Sequence, residues 1–316
     1  MNLPTRVLGA TGIETTAIGL GGAVITHESE SAGVATVRAA LEAGVRYFDT
    51  SPGYGAGRSQ PVFGQGLGAA AHDVTVATKV GYFDDPADYR RPEAIRAQIE
   101  QSLRYLKREH VDVLQVHEAN WSAWWVDGGG RSQIDPNAAY DFRGAPVFDA
   151  LHQARHDGLC RTIGITGNVA DQMTHVLRDV DVDTFLIAFN HDLVLRTARR
   201  TAIPLAVQKR AAVILGAIFY GARLVAVHPE WIESPPEWMT AAMVPAFKRL
   251  YELQRESGLS LVDLSVRFAL AQPDVSVVLV GVKNEAELVE SLRAAEAGPL
   301  PDDLQAEIEA IGLVDP

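Results

Sequence analysis

The sequence has little cysteine and no excess of positive charge. Cys160 is its one cysteine among 316 residues. No intrachain disulfide can form, which fits a reducing cytoplasm. Lys and Arg number 28 against 40 Asp and Glu, and the formal net charge is −12. Because nucleic acids and anionic membranes are bound by clustered Lys and Arg, we expect neither as a partner.

Long apolar runs and linkers are missing too. No apolar stretch approaches the roughly 18 residues that a membrane-spanning helix needs. The first six residues, Met1 to Arg6, lack the apolar segment of a signal peptide. No stretch rich in Pro, Gly and Ser divides the chain. We therefore predict one domain over residues 1–316, located in the cytoplasm.

The chain does contain a regular alternation of short apolar runs and amphipathic segments. A small hairpin and a first strand are predicted within residues 5–21. Strands are predicted at residues 16–20, 45–49, 74–78, 111–117, 161–166, 183–189, 211–217 and 275–280. Helices are predicted near residues 31–43, 60–67, 92–106, 147–156, 171–177, 193–209 (with a break at Pro204), 238–255, 260–271, 285–295 and 302–311.

This pattern predicts an α/β fold with a parallel sheet. The strands are Val- and Ile-rich rather than alternating, as expected where both faces of a sheet are buried. A (β/α)8 TIM barrel and a doubly wound sheet both fit strict strand–helix alternation. The count of eight strands favours the barrel, and so does the missing Gly-x-Gly-x-x-Gly motif after the first strand. A long loop follows the fourth strand.

Polar residues stand where successive strands end. Asp49, Lys79 and His117 end the second, third and fourth predicted strands, and Tyr54 follows Asp49 closely. In a barrel, the carboxyl ends of the strands carry the active site. A phenol has a pKa of about 10, which a nearby ammonium lowers. Such a group suits carbonyl–alcohol interconversion, for which a cofactor must supply the hydride.

These motifs resemble those of the aldo-keto reductase superfamily. The resemblance is carried by Phe48-Asp49-Thr50-Ser51-x-x-Tyr54-Gly55, by Ala77-Thr78-Lys79 and by the strand at residues 112–117. It implies that Tyr54 is the general acid/base, that Lys79 and Asp49 tune its pKa, and that His117 orients the substrate carbonyl. It also implies NADP or NAD as cofactor.

The resemblance implies a set of cofactor contacts as well. The turn at residues 281–287 opens a helix, whose N-terminal N–H groups suit an anion. Lys283 could meet a 2′-phosphate, but the choice between NADP and NAD stays open. The implied contacts are Gly22, Thr166, Gly167, Asn190, Ala217, Gly281, Lys283, Asn284 and Glu287.

Further segments resemble one branch of this family. Residues 235–238, the surroundings of His191 and residues 217–221 are similar to aldose 1-dehydrogenases (L-galactose, L-fucose and D-threo-aldose types) and to pyridoxal 4-dehydrogenases. The resemblance implies oxidation of a sugar at C1 to a lactone. We expect a small carbonyl or sugar as substrate, and the oligomeric state stays open.

The loop at residues 121–144 is the predicted substrate loop. Trp121, Trp124 and Trp125 could stack on a sugar, and His191 is a further candidate; packing of the loop on the barrel is an equal alternative. Three other functions stay open. The protein could be a reductase of small aldehydes or ketones or an enzyme like pyridoxal 4-dehydrogenase. It could instead be a non-catalytic nucleotide-binding regulator, or a lyase or hydrolase that uses Lys79 to form a Schiff base. The His117-Glu118 pair lacks a second His at helical spacing, so no metal site is predicted.

Overall fold

An antiparallel hairpin precedes a closed barrel of eight parallel strands, which follow one another round the barrel in chain order. The computed structural model describes residues 1–68 and 73–313. The hairpin strands are β1 (Thr5–Val7) and β2 (Glu14–Thr16). The barrel strands are β3 (Ile18–Gly21), β4 (Tyr47–Asp49), β5 (Thr75–Val80), β6 (Val111–Val116), β7 (Cys160–Gly167), β8 (Thr184–Ala188), β9 (Ala212–Gly216) and β10 (Val275–Gly281). The predicted (β/α)8 barrel is confirmed.

The helices lie on the outside of the barrel. They are α1 (Glu30–Glu42), α2 (Ser59–Leu67), α3 (Pro92–Leu106), α4 (Pro146–His156), α5 (Ala170–Asp179), α6 (Ala202–Gln208), α7 (Glu230–Glu233), α8 (Met243–Ser257), α9 (Leu261–Leu270), α10 (Glu285–Glu296) and α11 (Asp302–Ile311). Short 3-10 turns occur at Tyr54–Gly57, Pro86–Arg90, Ser122–Trp124 and Thr197–Arg199. In the part of the chain that the structure describes, no helix is long and apolar enough to span a bilayer.

Local sequence explains where the helices begin and which face they bury. Helix α3 begins at Pro92, whose missing N–H costs nothing in a first turn. It buries Ile95, Ile99 and Leu103, which are four residues apart. Helix α9 begins with a capping box, in which Ser260 and Asp263 satisfy each other's backbone N–H groups. Such amphipathic faces cover the outer side of the strands.

The hairpin closes the amino-terminal end of the barrel. Leu8 and Ile13 belong to a cluster with Tyr47, Ile214 and other side chains that fill the barrel interior. The backbone N–H of Ala10 donates to the carbonyl oxygen of Arg210 at 3.2 Å. Water is thereby kept from this end, and the opposite mouth remains for function.

One predicted helix is largely wrong. Of residues 193–209, only Ala202–Gln208 form an α-helix. The carboxylate of Asp192 accepts the N–H groups of Val194 and Leu195 at 2.8 Å, and a side chain that takes these donors competes with a helix. Pro204 stands in the first turn of α6, where it causes no break. The helix predicted near residues 238–255 begins only at Met243.

Candidate active site

Four predicted catalytic residues meet at the carboxyl-terminal mouth of the barrel. Asp49 ends β4, Lys79 is the next-to-last residue of β5, and His117 follows β6 directly. Tyr54 opens the 3-10 turn after β4. In this turn Gly55 has φ of +59°, and a Cβ there would lie 2.2 Å from Oγ1 of Thr26. Glycine is therefore required beside Tyr54.

Lys79 and Asp49 form a buried ion pair. The Lys79 Nζ lies 2.6 Å from Asp49 Oδ1 and donates a second hydrogen bond to the carbonyl oxygen of Thr50 at 2.9 Å. Both side chains are almost fully buried, at 1% and 2% exposure. Burial lowers the pKa of Lys79 and raises the pKa of Asp49, and the attraction between the two charges opposes both shifts. Each group therefore depends on the other for its charge.

Tyr54 lies between this pair and His117, on the wall of a cavity. The Lys79 Nζ is 4.8 Å from the centroid of the Tyr54 ring, and the Tyr54 and His117 ring centroids are 5.3 Å apart. Burial raises the pKa of Tyr54 well above 10, and the carboxylates of Asp49 and Glu118 raise it further. The lowering of the Tyr54 pKa that was expected from Lys79 does not occur in the protein alone, because burial and the two carboxylates raise it.

His117 is held in a neutral form. Burial and the charge of Lys79 keep its pKa well below 6.5. Its Nδ1 lies 2.8 Å from the Oγ of Ser51, and its carbonyl oxygen accepts the indole N–H of Trp124 at 2.9 Å. The sequence motif at residues 48–55 contains Ser51, but no role was predicted for it.

A cavity of about 750 Å³ runs across this mouth of the barrel. Asp49, Tyr54 and His117 line one part of it. Five of the predicted cofactor residues line it too: Gly22, Ala217, Gly281, Lys283 and Glu287. The cavity therefore connects the acid–base group with the start of α10.

The other predicted cofactor residues do not line the cavity. Thr166 and Gly167 end β7, and a Cβ at Gly167 would lie 2.2 Å from the sulfur of Met173. The Asn190 amide donates to the carbonyl oxygens of Asn168 and Ala188, so it serves the backbone. Asn168 lines the cavity in their place. The sequence indicated Asn168 only through its position directly after Thr166-Gly167.

The turn before α10 is rich in carboxylates. Asn284 caps α10 by accepting the N–H of Glu287 at 3.0 Å, and its amide donates to Glu28 at 2.6 Å. The Lys283 Nζ lies 2.9 Å from Glu287 Oε1, and the Lys283 N–H donates to Glu287 Oε2 at 2.9 Å. The charge of Lys283 is therefore already paired, and Glu290 adds another carboxylate to this part of the cavity wall.

Two of the three predicted substrate tryptophans pack the loop onto the barrel. Trp124 is fully buried against Tyr89, with ring centroids 4.7 Å apart. Trp125 is 4% exposed, packs against Phe142 and donates its indole N–H to the carbonyl oxygen of Ala119. Neither lines the cavity. For these two, the packing alternative describes the structure, because each indole N–H has a backbone acceptor.

Trp121 has a different environment. It is partly exposed, and its ring centroid lies 5.0 Å from that of Tyr82. Tyr82 lines the cavity and contacts the His117 ring at 4.7 Å. The Arg131 guanidinium lies over both the Tyr82 and Trp121 rings, at 5.2 and 5.6 Å. Trp121 therefore supports the wall of the cavity from behind. Tyr82 belongs to none of the sequence motifs, so its position in the cavity wall was not predicted.

His191 is buried away from the cavity. It is 2% exposed and stacks on Phe268 with ring centroids 5.8 Å apart. Burial and nearby arginines lower its pKa to about 4. The prediction that His191 contacts substrate does not fit this position: the residue follows β8, but its side chain packs among the outer helices.

The neighbouring Asp192 predicts a pH effect on stability. Burial raises its pKa to about 7, although the N–H groups of Leu195 and Val194 oppose the shift, and its Oδ2 has no partner among the described residues. A raised carboxyl pKa means that the folded state holds the proton longer, so this contribution to stability falls as pH rises towards 7. The difference in free energy of unfolding between Asp192→Asn and the wild type should therefore shift in favour of the variant when the pH is raised from 5 to 8. We expect a shift on the order of 1–2 kcal/mol. Thermal denaturation measures this, and an equal difference at both pH values would contradict it.

Among residues 1–68 and 73–313, no cluster of His, Cys, Asp and Glu could hold a metal ion. Burial raises the pKa of the one thiol, Cys160, to about 12.

Comparisons with known proteins agree with this architecture. The model of the Aldo/keto reductase family matches residues 17–312. L-galactose dehydrogenase of Arabidopsis thaliana is 30% identical, over 97% of this chain and 93% of its own length. D-threo-aldose 1-dehydrogenase of a Pseudomonas species is 26% identical over 96% of each chain. The solved structure of aldo-keto reductase AKR11C1 from Bacillus halodurans (holo form) superposes with a TM-score of 0.78 at 21% identity, over 99% of this chain and 97% of that one.

Proposed function

Because this chain belongs to the aldo/keto reductase family, whose members are NAD(P)-dependent oxidoreductases, we propose that it oxidises the C1 hydroxyl of an aldose to a lactone with Tyr54 as general acid/base. One observation carries the proposal. Tyr54 lies on the cavity wall with the Lys79 ammonium 4.8 Å from its ring centroid and the His117 ring on another side. The aldose is suggested by the two sugar-dehydrogenase relatives.

The cavity fits a dinucleotide together with a small substrate. It reaches from Tyr54 to Lys283 and Glu287 at the start of α10, and Gly22 and Gly281 line it on the way. When bound, the nicotinamide supplies the carbon that accepts hydride and, in its oxidised form, a positive charge. We assign the nucleotide to Gly22, Ala217, Gly281, Glu287 and Asn168.

Tyr54 moves the proton in this proposal. In sugar oxidation its oxygen takes the proton of the C1 hydroxyl, and in the reverse direction it returns that proton. Its raised pKa means that the protein alone holds the phenol protonated. A cationic ligand beside it and the Lys79 ammonium both stabilise the phenolate. Asp49 keeps Lys79 charged and in place.

His117 binds the substrate oxygen as a neutral hydrogen-bond donor. The N–H of Gly53 donates to the Oγ of Ser51 at 3.3 Å, which leaves the Ser51 hydroxyl hydrogen for Nδ1 of His117. In this arrangement the proton of the imidazole stands on Nε2. Ser51 therefore positions the ring and selects the tautomer, much as outer partners orient metal-bound histidines.

The alternatives fit these contacts less well. A Schiff base needs a free amine that a substrate can reach. The Lys79 ammonium donates hydrogen bonds to the Asp49 carboxylate and to the Thr50 carbonyl oxygen, and Lys79 does not line the cavity. A purely regulatory barrel gives no reason for a buried ion pair beside a phenol. Reduction of small aldehydes or ketones uses the same groups in reverse, and oxidation of pyridoxal uses them in the same direction, so this pair of activities is the second candidate.

The cavity wall near α10 favours NAD over NADP. Lys283, Glu287 and Glu290 line this part of the cavity, and Glu28 accepts a hydrogen bond from the neighbouring Asn284. One positive charge therefore stands with three negative charges, of which one is paired with Lys283. A ribose 2′-hydroxyl can donate to a carboxylate, whereas a 2′-phosphate is repelled by it. We therefore infer that the ribose diol of NAD, rather than the phosphate of NADP, meets these carboxylates.

We expect NAD to bind about tenfold more tightly than NADP at low salt, where the repulsion is least screened. Glu287→Gln removes one negative charge and frees Lys283, so it should shift the ratio of the two affinities towards NADP several-fold. Glu285→Gln, an equal charge change in the same helical turn, should leave the ratio unchanged. Calorimetric titration of both nucleotides measures this; a ratio unaffected by Glu287→Gln would contradict it.

The function itself is tested by incubating the purified protein with NAD or NADP and a panel of aldoses, pyridoxal and simple aldehydes or alcohols. The reduced-nicotinamide absorption band should grow with at least one aldose. Turnover of pyridoxal alone, or of simple aldehydes or ketones alone when the reduced nucleotide is supplied instead, would favour the second candidate. No turnover and no nucleotide binding would overturn the enzyme assignment.

A further inference from the structure

Glu118 stands in the cavity with no structural task that requires a carboxylate. It lines the cavity together with Tyr54, Tyr82 and His117. Its Oε1 lies 3.5 Å from the Tyr82 hydroxyl, at the limit of a hydrogen bond, and its Oε2 is buried without a partner among the described residues. Such an oxygen costs free energy in the protein alone.

The backbone places this side chain by an uncommon conformation. Glu118 has φ of +52°, a left-handed value that residues other than glycine seldom adopt. Neighbouring bonds hold the conformation: the Ala119 N–H donates to the carbonyl oxygen of Thr166 at 2.7 Å, and the Trp121 N–H donates to that of Glu118 at 2.9 Å. Strain of this kind is a reason to suspect a functional position.

The surroundings of Glu118 select the kind of group that it can bind. Burial raises its pKa to about 7, while the Lys79 charge acts in the opposite direction. The carboxyl offers its unpartnered Oε2 as an acceptor in a wall whose other polar members near the site include Asp49, Tyr54, Tyr82 and His117. A hydroxyl donor satisfies the unpartnered oxygen, an apolar group leaves it unsatisfied, and an anion is repelled by the ionised form.

We propose that the Glu118 carboxyl accepts a hydrogen bond from a substrate hydroxyl close to the reacting carbon, and that it thereby selects neutral polyhydroxylated substrates over simple aldehydes and over phosphorylated or carboxylated ones. The inference rests on the proposed function, because it assigns a specificity residue within the same cavity. A site built around a hydroxyl rejects analogues that lack it, since the protein group is then left unpaired.

Glu118→Gln tests this by comparing substrates. The variant keeps the shape and one acceptor oxygen but removes the charge. For a polyhydroxylated aldose such as L-galactose we expect KM to rise about tenfold, whereas KM for a small aldehyde without further hydroxyl groups and the affinity for NAD should each change less than about twofold. The substitution also removes a charge that raises the pKa of Tyr54, so the difference in KM between the two substrates is the expected result, and kcat is free to change. Glu109→Gln, the same substitution at an exposed residue that does not line the cavity, should alter none of these values.

An equal loss of kcat/KM with both substrates would overturn the proposal, because it would mean that Glu118 serves the chemistry or the fold. A second readout does not depend on turnover. In the Tyr54→Phe background with NAD bound, calorimetry should show the aldose binding about tenfold more weakly once Glu118→Gln is added. Aldose binding that Glu118→Gln leaves unchanged would also overturn it. Failure of the proposed function is recognised separately, as absent turnover in the wild type.

Discussion

Tyr54→Phe is expected to lower kcat by about 10³-fold, within the range of general acid–base catalysis, while the affinity for nucleotide changes less than about twofold. The proposed proton transfer is assigned to the phenol oxygen, and Phe carries no group that can exchange a proton in its place. Lys79 is bonded to Asp49, and His117 has a pKa well below 6.5. Neither can replace the missing hydroxyl.

The measurement combines steady-state kinetics with calorimetric titration of NAD. Phe keeps the ring, and with it the contacts to Lys79 and the His117 edge. The fold and the cavity should therefore be preserved. Retained turnover would remove Tyr54 from the proton transfer, and a loss of nucleotide binding together with turnover would show that Tyr54 is structural.

Lys79→Met is expected to remove turnover and to destabilise the protein by about 3–5 kcal/mol, the usual cost of breaking a buried ion pair. Asp49 would remain at 2% exposure without its cation. The carboxylate must then be protonated or hydrated, and both outcomes oppose folding. Loss of the ammonium also removes the charge that stabilises the Tyr54 phenolate.

The double variant Lys79→Met with Asp49→Asn separates these two effects. It replaces both charges, so no buried charge is left unpaired. We expect denaturant unfolding to show most of the lost stability restored, with turnover still absent. A double variant that recovers turnover would mean that the pair only supports the fold. A single variant as stable as the wild type would mean that Asp49 finds another partner.

The fold was predictable because its signals are local. Helix α3 and helix α11 have the predicted bounds, Pro92–Leu106 and Asp302–Ile311. In both, a proline or acidic residues open the first turn, and an amphipathic pattern follows. The helix expected over residues 193–209 was not predictable in this way, because the Asp192 carboxylate takes the backbone donors of the segment.

The order of the motifs along the chain predicted where the site residues lie. It did not predict how the site shifts their pKa values. Asp49, Lys79 and His117 were assigned to strand ends by pattern alone. The sign of the Tyr54 pKa shift depends on burial and on two carboxylates, one of them Glu118, and no motif reports that balance. The contact between Ser51 and His117 joins residues 66 positions apart.

The tryptophans illustrate a second limit. An aromatic-rich loop can face a ligand or the barrel, and composition is the same in both cases. The indole N–H groups of Trp124 and Trp125 find the carbonyl oxygens of His117 and Ala119, and these bonds turn both rings inward. Which carbonyls lie within reach is a property of the folded loop, so only the structure separates the two arrangements.

We propose that hydride leaves C1 of an aldose for the nucleotide bound in this cavity, while Tyr54 takes the hydroxyl proton. The most direct test of this proposal is the fate of the hydrogen on C1. Wild-type protein is incubated with NAD and L-galactose deuterated at C1, and the mass of the reduced nucleotide is measured. We expect a reduced nicotinamide that carries one deuterium, formed about 10³-fold more slowly by Tyr54→Phe. Reduced nucleotide without deuterium, or equal formation by Tyr54→Phe, would contradict the proposed hydride and proton transfer.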